Sequence, residues 1–281
     1  MRVALMGDLH YPAIDETVPG LADAHSRFFQ SLIEHFLEID AHMHVSIGDL
    51  TNFGHASELI GVYNLLNQRD RNFYHALGNH DLYALPRKDV LTLTGQCRYH
   101  TISTDEAIFA FLDTAREMDL EDYGGWIDDE QLQWFENIVQ TSGTKPLFVF
   151  AHHPVYNTTK NSELDKSSIH PSIDMWKILE QKEGIGVYLN GHTHVDSIVQ
   201  EKNWTFLQTS ACLDQQSFRI IDIEKEEINI ASLDIIDKDL TESASIIYNN
   251  INYFRHNPNA RGQESDRQCR IPLLPMIDQT S

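Results

Sequence analysis

Cysteine is scarce in this chain of 281 residues: Cys97, Cys212 and Cys269 are all it has. They are far apart, odd in number and without CxxC spacing, which argues against a disulfide framework and against a cysteine-based zinc site. Basic charge is also short. Lys and Arg total 21 against 42 Asp and Glu, for a formal charge of −21. Such a surface repels nucleic acid phosphates, and no basic, aromatic-interleaved patch interrupts it, so nucleic acid is not the expected partner. A small anion at a metal site stays compatible, because bound cations reverse the local field. Long apolar runs are missing as well, so no membrane span is expected. The opening Met-Arg-Val-Ala-Leu-Met-Gly-Asp reaches Asp8 too soon for a signal peptide and reads as a first core strand, with a cytoplasmic location as the expectation.

What is present is an alternation of short apolar runs and amphipathic stretches. Arg2–Met6, Met43–Ile47, Phe73–Leu77, Ile108–Leu112, Leu147–Ala151 and Val187–Leu189 read as buried strands. Helical spacing appears in Phe28, Phe29, Leu32, Ile33, Phe36 and Leu37, again in Leu59, Tyr63 and Leu66, and from about Asp129 through Val139. A fourth helix is expected after Ser172 as N-cap, with Gly184 as its stop. From Ser197 to Leu233 strand-like runs with short turns predict an antiparallel continuation. The order predicts an α/β fold of layered sheets rather than a barrel. A main domain over residues 1–239 and a C-terminal helix and arm over 240–281 are the expected division.

Five polar blocks follow five of the strands: Asp8-Leu9-His10, Gly48-Asp49-Leu50-Thr51-Asn52, Gly78-Asn79-His80-Asp81, His152-His153-Pro154 and Gly191-His192-Thr193-His194. The C-terminal ends of strands are where open α/β sheets bind ligands. Carboxylate oxygen and neutral imidazole nitrogen suit Zn, Mn and Fe. Each block alone is a common short motif; five in order, each after a strand, point to one metal site.

The set Asp-x-His, Gly-Asp, Gly-Asn-His-Asp, His and Gly-His-x-His resembles the signature of the calcineurin-like metallophosphoesterases, over about Arg2 to Leu233. The resemblance implies a four-layer α/β/β/α sandwich with two mixed sheets. It implies two divalent or mixed-valence transition metal ions (Mn, Fe or Zn), one held by Asp8, His10, Asp49 and His194 and the other by Asp49, Asn79, His152 and His192. It implies His80 beside the phosphoryl group and hydrolysis of a small phosphoester by in-line attack of a metal-bridging hydroxide. Gly48 to Gly54 and Gly125 to Trp134 further resemble the bacterial class III cyclic nucleotide phosphodiesterases, where Asn52 stands in place of a frequent Asp. A phosphodiesterase is the expectation, with a phosphomonoesterase or a non-catalytic metal-binding module as alternatives. Leu50 stands nearest the metal-bound Tyr of purple acid phosphatases, which argues against that type.

Two readings stay open for Asp81: a carboxylate that orients or charge-stabilises the His80 imidazole in catalysis, or a turn carboxylate capping backbone N–H groups. His153 reads as a loop residue near the site, and His55 as a solvated helix start. The arginines of the C-terminal arm, Arg255, Arg261, Arg267 and Arg270, admit a surface tail, closure over the site, or a homo-oligomer contact.

Overall fold

A computed structural model describes residues 1–273. The part of the C-terminal arm beyond Leu273 lies outside the described residues.

One six-stranded sheet runs in the order β12 (Gln268–Pro272), β11 (Glu227–Asp234), β10 (Ser217–Ile223), β1 (Arg2–Met6), β2 (Met43–Ser46), β3 (Phe73–His75). The other runs β4 (His100–Ser103), β5 (Ile108–Phe111), β6 (Leu147–Phe150), β7 (Gly186–Asn190), β9 (Trp204–Gln208), β8 (Ser197–Glu201). Both are mixed. β1, β2 and β3 are parallel, as are β5, β6, β7 and β9, while β10, β11 and β12 on one side of the first sheet and the edge strands β4 and β8 of the second pair antiparallel.

The near-continuous apolar runs are explained by burial on both faces. In β1, Val3 and Leu5 face the core between the sheets, while Ala4 and Met6 face the helices. In β6, Phe148 and Phe150 enter the inter-sheet core, and Leu147 and Val149 the opposite one. Each buried Phe or Leu contributes about 2 kcal/mol. Helix α1 (Leu21–Glu38) lays Phe28, Phe29, Leu32 and Phe36 on the first sheet. Helix α4 (Asp129–Thr141) lays Phe135 and Val139 on the second and is capped by Asp128, whose side chain accepts from Gln131 N at 2.9 Å. The layers are therefore α/β/β/α, as expected.

Three local expectations need correction. The helix after Ser172 is only Met175–Leu179 (α5), and its cap is Asp174, not Ser172, which is engaged with His170 Nδ1. The expected antiparallel run after Ser197 is split. β8 and β9 form a hairpin whose inner strand lies parallel to β7, and the chain then crosses to the other sheet, where β10 docks against β1. Up to Leu273 the C-terminal stretch is also no loose tail. Helix α6 (Lys238–Tyr248) buries Leu240, Ala244 and Ile247 in the core under α1, and β12 pairs with β11. No helix among the described residues is long and apolar enough to cross a membrane.

Candidate metal centre

The five blocks meet where the two sheets present the C-terminal ends of their parallel strands. The first sheet supplies Asp8 and His10 after β1, Asp49 after β2 and Asn79 after β3. The second supplies His152 after β6 and His192 and His194 after β7. His10, Asp49, His192 and His194 all have positive φ, between 48° and 73°. That conformation is uncommon outside glycine, and it turns each chain sharply enough to aim the side chain back across the strand ends. The halves are laced together: His192 N donates to Asp8 Oδ2 at 2.8 Å, and the His152 ring of the second sheet meets Ile47 O of the first at 3.1 Å.

Two lobes result. In one, His10 Nε2 is 3.0 Å from His194 Nε2, which is 3.4 Å from Asp8 Oδ2. In the other, Asn79 Oδ1 is 3.1 Å from both His152 Nε2 and His192 Nδ1. Asp49 Oδ2 lies between them, 3.9 Å from His10 Nε2 and 3.2 Å from His152 Nε2. The far nitrogens are anchored where this matters for aim: His152 Nδ1 on Ile47 O at 3.1 Å and His192 Nε2 on Lys166 O at 2.9 Å. Asn79 Nδ2 donates to Tyr83 Oη at 2.6 Å, which turns the amide oxygen toward the histidines.

Close packing leaves no room for other backbones. A Cβ on Gly78 would sit 2.1 Å from Asp49 Oδ1, and one on Gly191 would sit 2.1 Å from Asp8 Oδ1. Those glycines are required by approach, not by turn geometry alone.

The donor set fits metal ions. Asp8 Oδ1 is buried without a hydrogen-bond partner among the described residues, a costly state for a polar atom unless a cation or water meets it. Two groups, Asp8 with His10 and His194, and His10 with Asp49 and His80, each offer ligand atoms within 4.8 Å of one another. A third grouping, His152, His153 and His192, meets the same distance test. His153 is nonetheless committed elsewhere: its Nδ1 pairs with Thr114 Oγ1 at 2.8 Å and its Nε2 with Tyr123 O at 2.9 Å. It is a buried tie for the loop around Tyr123, not a free donor.

Electrostatics favour neutral imidazole. Burial holds His10 well below the ordinary histidine value, with His80 and His194 adding to the effect. Desolvation at the cleft floor takes His192 and His194 down to about 3. Burial opposes charge on His152 too, yet Asp49 and Asp8 beside it hold it up at about 9. Burial pushes Asp8 up to about 8 against the pull of His152, whereas for Asp49 the charges of His152 and His80 overcome burial and keep it ionised.

His80 sits at the rim. Its Nδ1–H donates to Asn52 O at 2.7 Å, which leaves Nε2 facing the site, 4.0 Å from Asp49 Oδ2. The expected partnership of Asp81 with this imidazole is not formed. Asp81 is fully buried behind it; Oδ1 accepts from Thr51 N and Oγ1 at 2.9 and 2.8 Å, and Oδ2 meets Gly78 N at 2.9 Å and His75 Nε2 at 3.0 Å. Asp81 is the turn carboxylate, tying the second and third blocks together. His55 is the N-cap of helix α2 (Ala56–Leu66), as expected, and the adjoining Glu58 carboxylate accepts from Ala13, Phe53 and His55 N–H groups. Leu50 is buried in the hydrophobic core, so no phenol occupies that position.

The site opens into a cleft of 730 Å³ with Asp49, His192 and His194 on the floor, His80 at the rim, and Tyr83, Tyr123 and Tyr253 among the walls. A sequence model of the calcineurin-like phosphoesterase family matches residues 1–196. The chain belongs to that family. Among solved structures, a dimetal phosphatase from Danio rerio is similar with 14% identity and a TM-score of 0.68, over 83% of this chain and 95% of that one. A purple acid phosphatase from yellow lupin seeds is similar with 12% identity and a TM-score of 0.56, over 83% of this chain and 51% of that one. GAP50, the anchor in the inner membrane complex of Plasmodium, is similar with 13% identity and a TM-score of 0.53, over 90% of this chain and 95% of that one. At these identities the likeness is one of fold. No curated protein matches the chain.

Several site residues carried no signal in the sequence. Tyr83 was marked only by its place four residues after Asn79. Phe254, Asp214 and the Lys166 carbonyl reach His192 and His194 from remote segments and had no local mark.

Proposed function

We propose that this calcineurin-like phosphoesterase hydrolyses a small phosphodiester with two bound metal ions. Asp8, His10, Asp49 and His194 would hold one ion, and Asp49, Asn79, His152 and His192 the other, with Asp49 shared. Bound ions of this kind supply Lewis-acid stabilisation of phosphoryl oxygens and a water acidic enough to react near neutral pH. The protein's own part is positional and protonic. Neutral His10, His192 and His194 present lone pairs without first losing a proton. His80, whose Nδ1–H is fixed on Asn52 O, can carry a proton on Nε2 and pass it to the departing alkoxide.

The shape of the cleft carries the preference for a diester. Its walls come from several segments, among them Leu120 with Tyr123, Asn161 with Ser167, and Tyr253 to Pro258, and its 730 Å³ is the size of a pocket for a substituted small molecule rather than a bare phosphate. One observation favours a phosphomonoesterase instead: Arg255 lines the cleft without a hydrogen bond or ion pair among the described residues, and a dianion gains more from it. Mn-loaded protein assayed on bis(4-nitrophenyl) phosphate and on 4-nitrophenyl phosphate decides between them. A higher kcat/KM for the diester is expected. A higher value for the monoester overturns the diester reading, and hydrolysis of neither overturns the enzymatic one.

A further inference from the structure

After helix α6 the chain turns back over the metal centre instead of leaving the surface. Residues 252–257 form a strap pinned at both ends. Asn52 Nδ2 donates to Asn252 O at 2.8 Å, and Asn257 Nδ2 donates to His194 O at 3.0 Å. Asn257 N is held in addition by Asp214 Oδ1 at 3.0 Å. Between the pins, the Phe254 ring stacks on His194 at 5.2 Å and meets His10 edge-on at 4.9 Å. The family match ends at residue 196, so this cover is supplied by a part of the chain beyond it.

The strap holds one residue in an unusual state. Tyr253 has φ +65°, a conformation that bulky side chains avoid, and it is 61% exposed. Its ring lies 4.6 Å from Phe53, which lies 5.7 Å from Tyr83, which lies 4.7 Å from His80. A continuous row of rings thus leads from the reaction histidine to an exposed tyrosine at the cleft mouth. Tyr123, 41% exposed, lines the same cleft, and so does Arg255, which has no partner among the described residues. Exposed aromatic faces in a pocket recognise flat groups, and a guanidinium stacks on the same kind of surface.

We infer that the strap of residues 252–257 is the specificity element of this site, with Tyr253 packing against a planar aromatic substituent of the phosphoester. The inference rests on the phosphoester reading above. It also gives Asn52 a role: its main-chain carbonyl fixes His80 while its side-chain Nδ2 holds the strap. An Asp at that position has no donor for Asn252 O and would release the strap.

The test is binding of phenylphosphonate and methylphosphonate to the Mn-loaded full chain by calorimetry, since the two carry the same anion. Wild type is expected to prefer the phenyl compound. Tyr253→Gly, which suits the positive φ while removing the ring, should cut that preference ~5-fold. Tyr253→Phe should keep it, and Asn52→Asp should lower it toward the glycine variant. A wild type without phenyl preference, a Tyr253→Gly protein that retains it, or a Tyr253→Phe protein that loses as much as glycine overturns the inference. Hydrolysis of bis(4-nitrophenyl) phosphate is followed in parallel; its absence with the phenyl preference intact overturns the hydrolytic reading alone.

Discussion

Replacing Asp81 with asparagine separates a structural carboxylate from a catalytic one. The wild-type side chain takes four donors while fully buried: Thr51 N, Thr51 Oγ1, Gly78 N and His75 Nε2. An amide keeps one oxygen and turns an NH2 toward the other pair. The Thr51 hydroxyl can rotate and the His75 ring can change tautomer, but whichever way the amide faces, one backbone N–H loses its acceptor. A stranded buried donor costs about 1–3 kcal/mol, and loss of charge assistance on the remaining bonds adds about 1 kcal/mol. Asp81→Asn should therefore lower stability by about 3 kcal/mol and Tm by about 6–12 °C. The difference should depend on pH. Burial pushes the Asp81 carboxyl up, but His75 and the Gly78 N–H outweigh it and leave the folded value below the ordinary one. A depressed folded pKa contributes stability that is present above the ordinary carboxylate value, near 4, and is lost as pH falls through the folded value. The gap between wild type and variant should be full at pH 7 and close under acid conditions. Thermal melts across pH, paired with kcat per bound metal, check this. An unchanged Tm with a ~100-fold fall in kcat would refute the reasoning and place Asp81 in the reaction through His80.

Three more outcomes are expected. His80→Ala should leave metal content close to wild type and cut turnover about 10²–10⁴-fold for a poor leaving group; equal turnover would remove His80 from the mechanism. Asp49→Ala should lose both metals, because Asp49 Oδ2 is near histidines of both lobes, and metal analysis finding two ions bound would end its bridging assignment. Metal binding should release protons at pH 7: burial raises the Asp8 carboxyl and the neighbouring carboxylates raise His152, so this pair holds protons in the metal-free state that ligation must displace. Mn titration in weak buffer should liberate about one to two protons per chain, with affinity rising from pH 6 to 9; affinity flat across that range contradicts the assignment.

The five blocks were legible because their signal is local. A strand followed by a ligand-bearing turn is written in consecutive residues, and parallel strands then bring their C-terminal ends to one edge by topology. The longer helices were legible for the same reason, through the repeat of Phe28, Leu32 and Phe36 along one face of α1, whereas the short helix α3 (Arg87–Thr94) was not. Two of the four edge strands were also missed: His100–Ser103 and Gln268–Pro272 are half polar, because only one of their faces meets the core.

By itself, then, the sequence determined the layered fold, the residue types of the metal centre and the strand ends that carry them. Tertiary structure alone decided what each polar group faces. It turned Asp81 away from His80 and onto Thr51 and Gly78, and it occupied both nitrogens of His153. It also sent the strand run after Ser197 into two sheets and folded the C-terminal stretch back over His10 and His194. The physical reason is common to all four. A hydrogen bond or a stacked ring depends on which distant segments meet in space, and consecutive residues hold no record of that meeting.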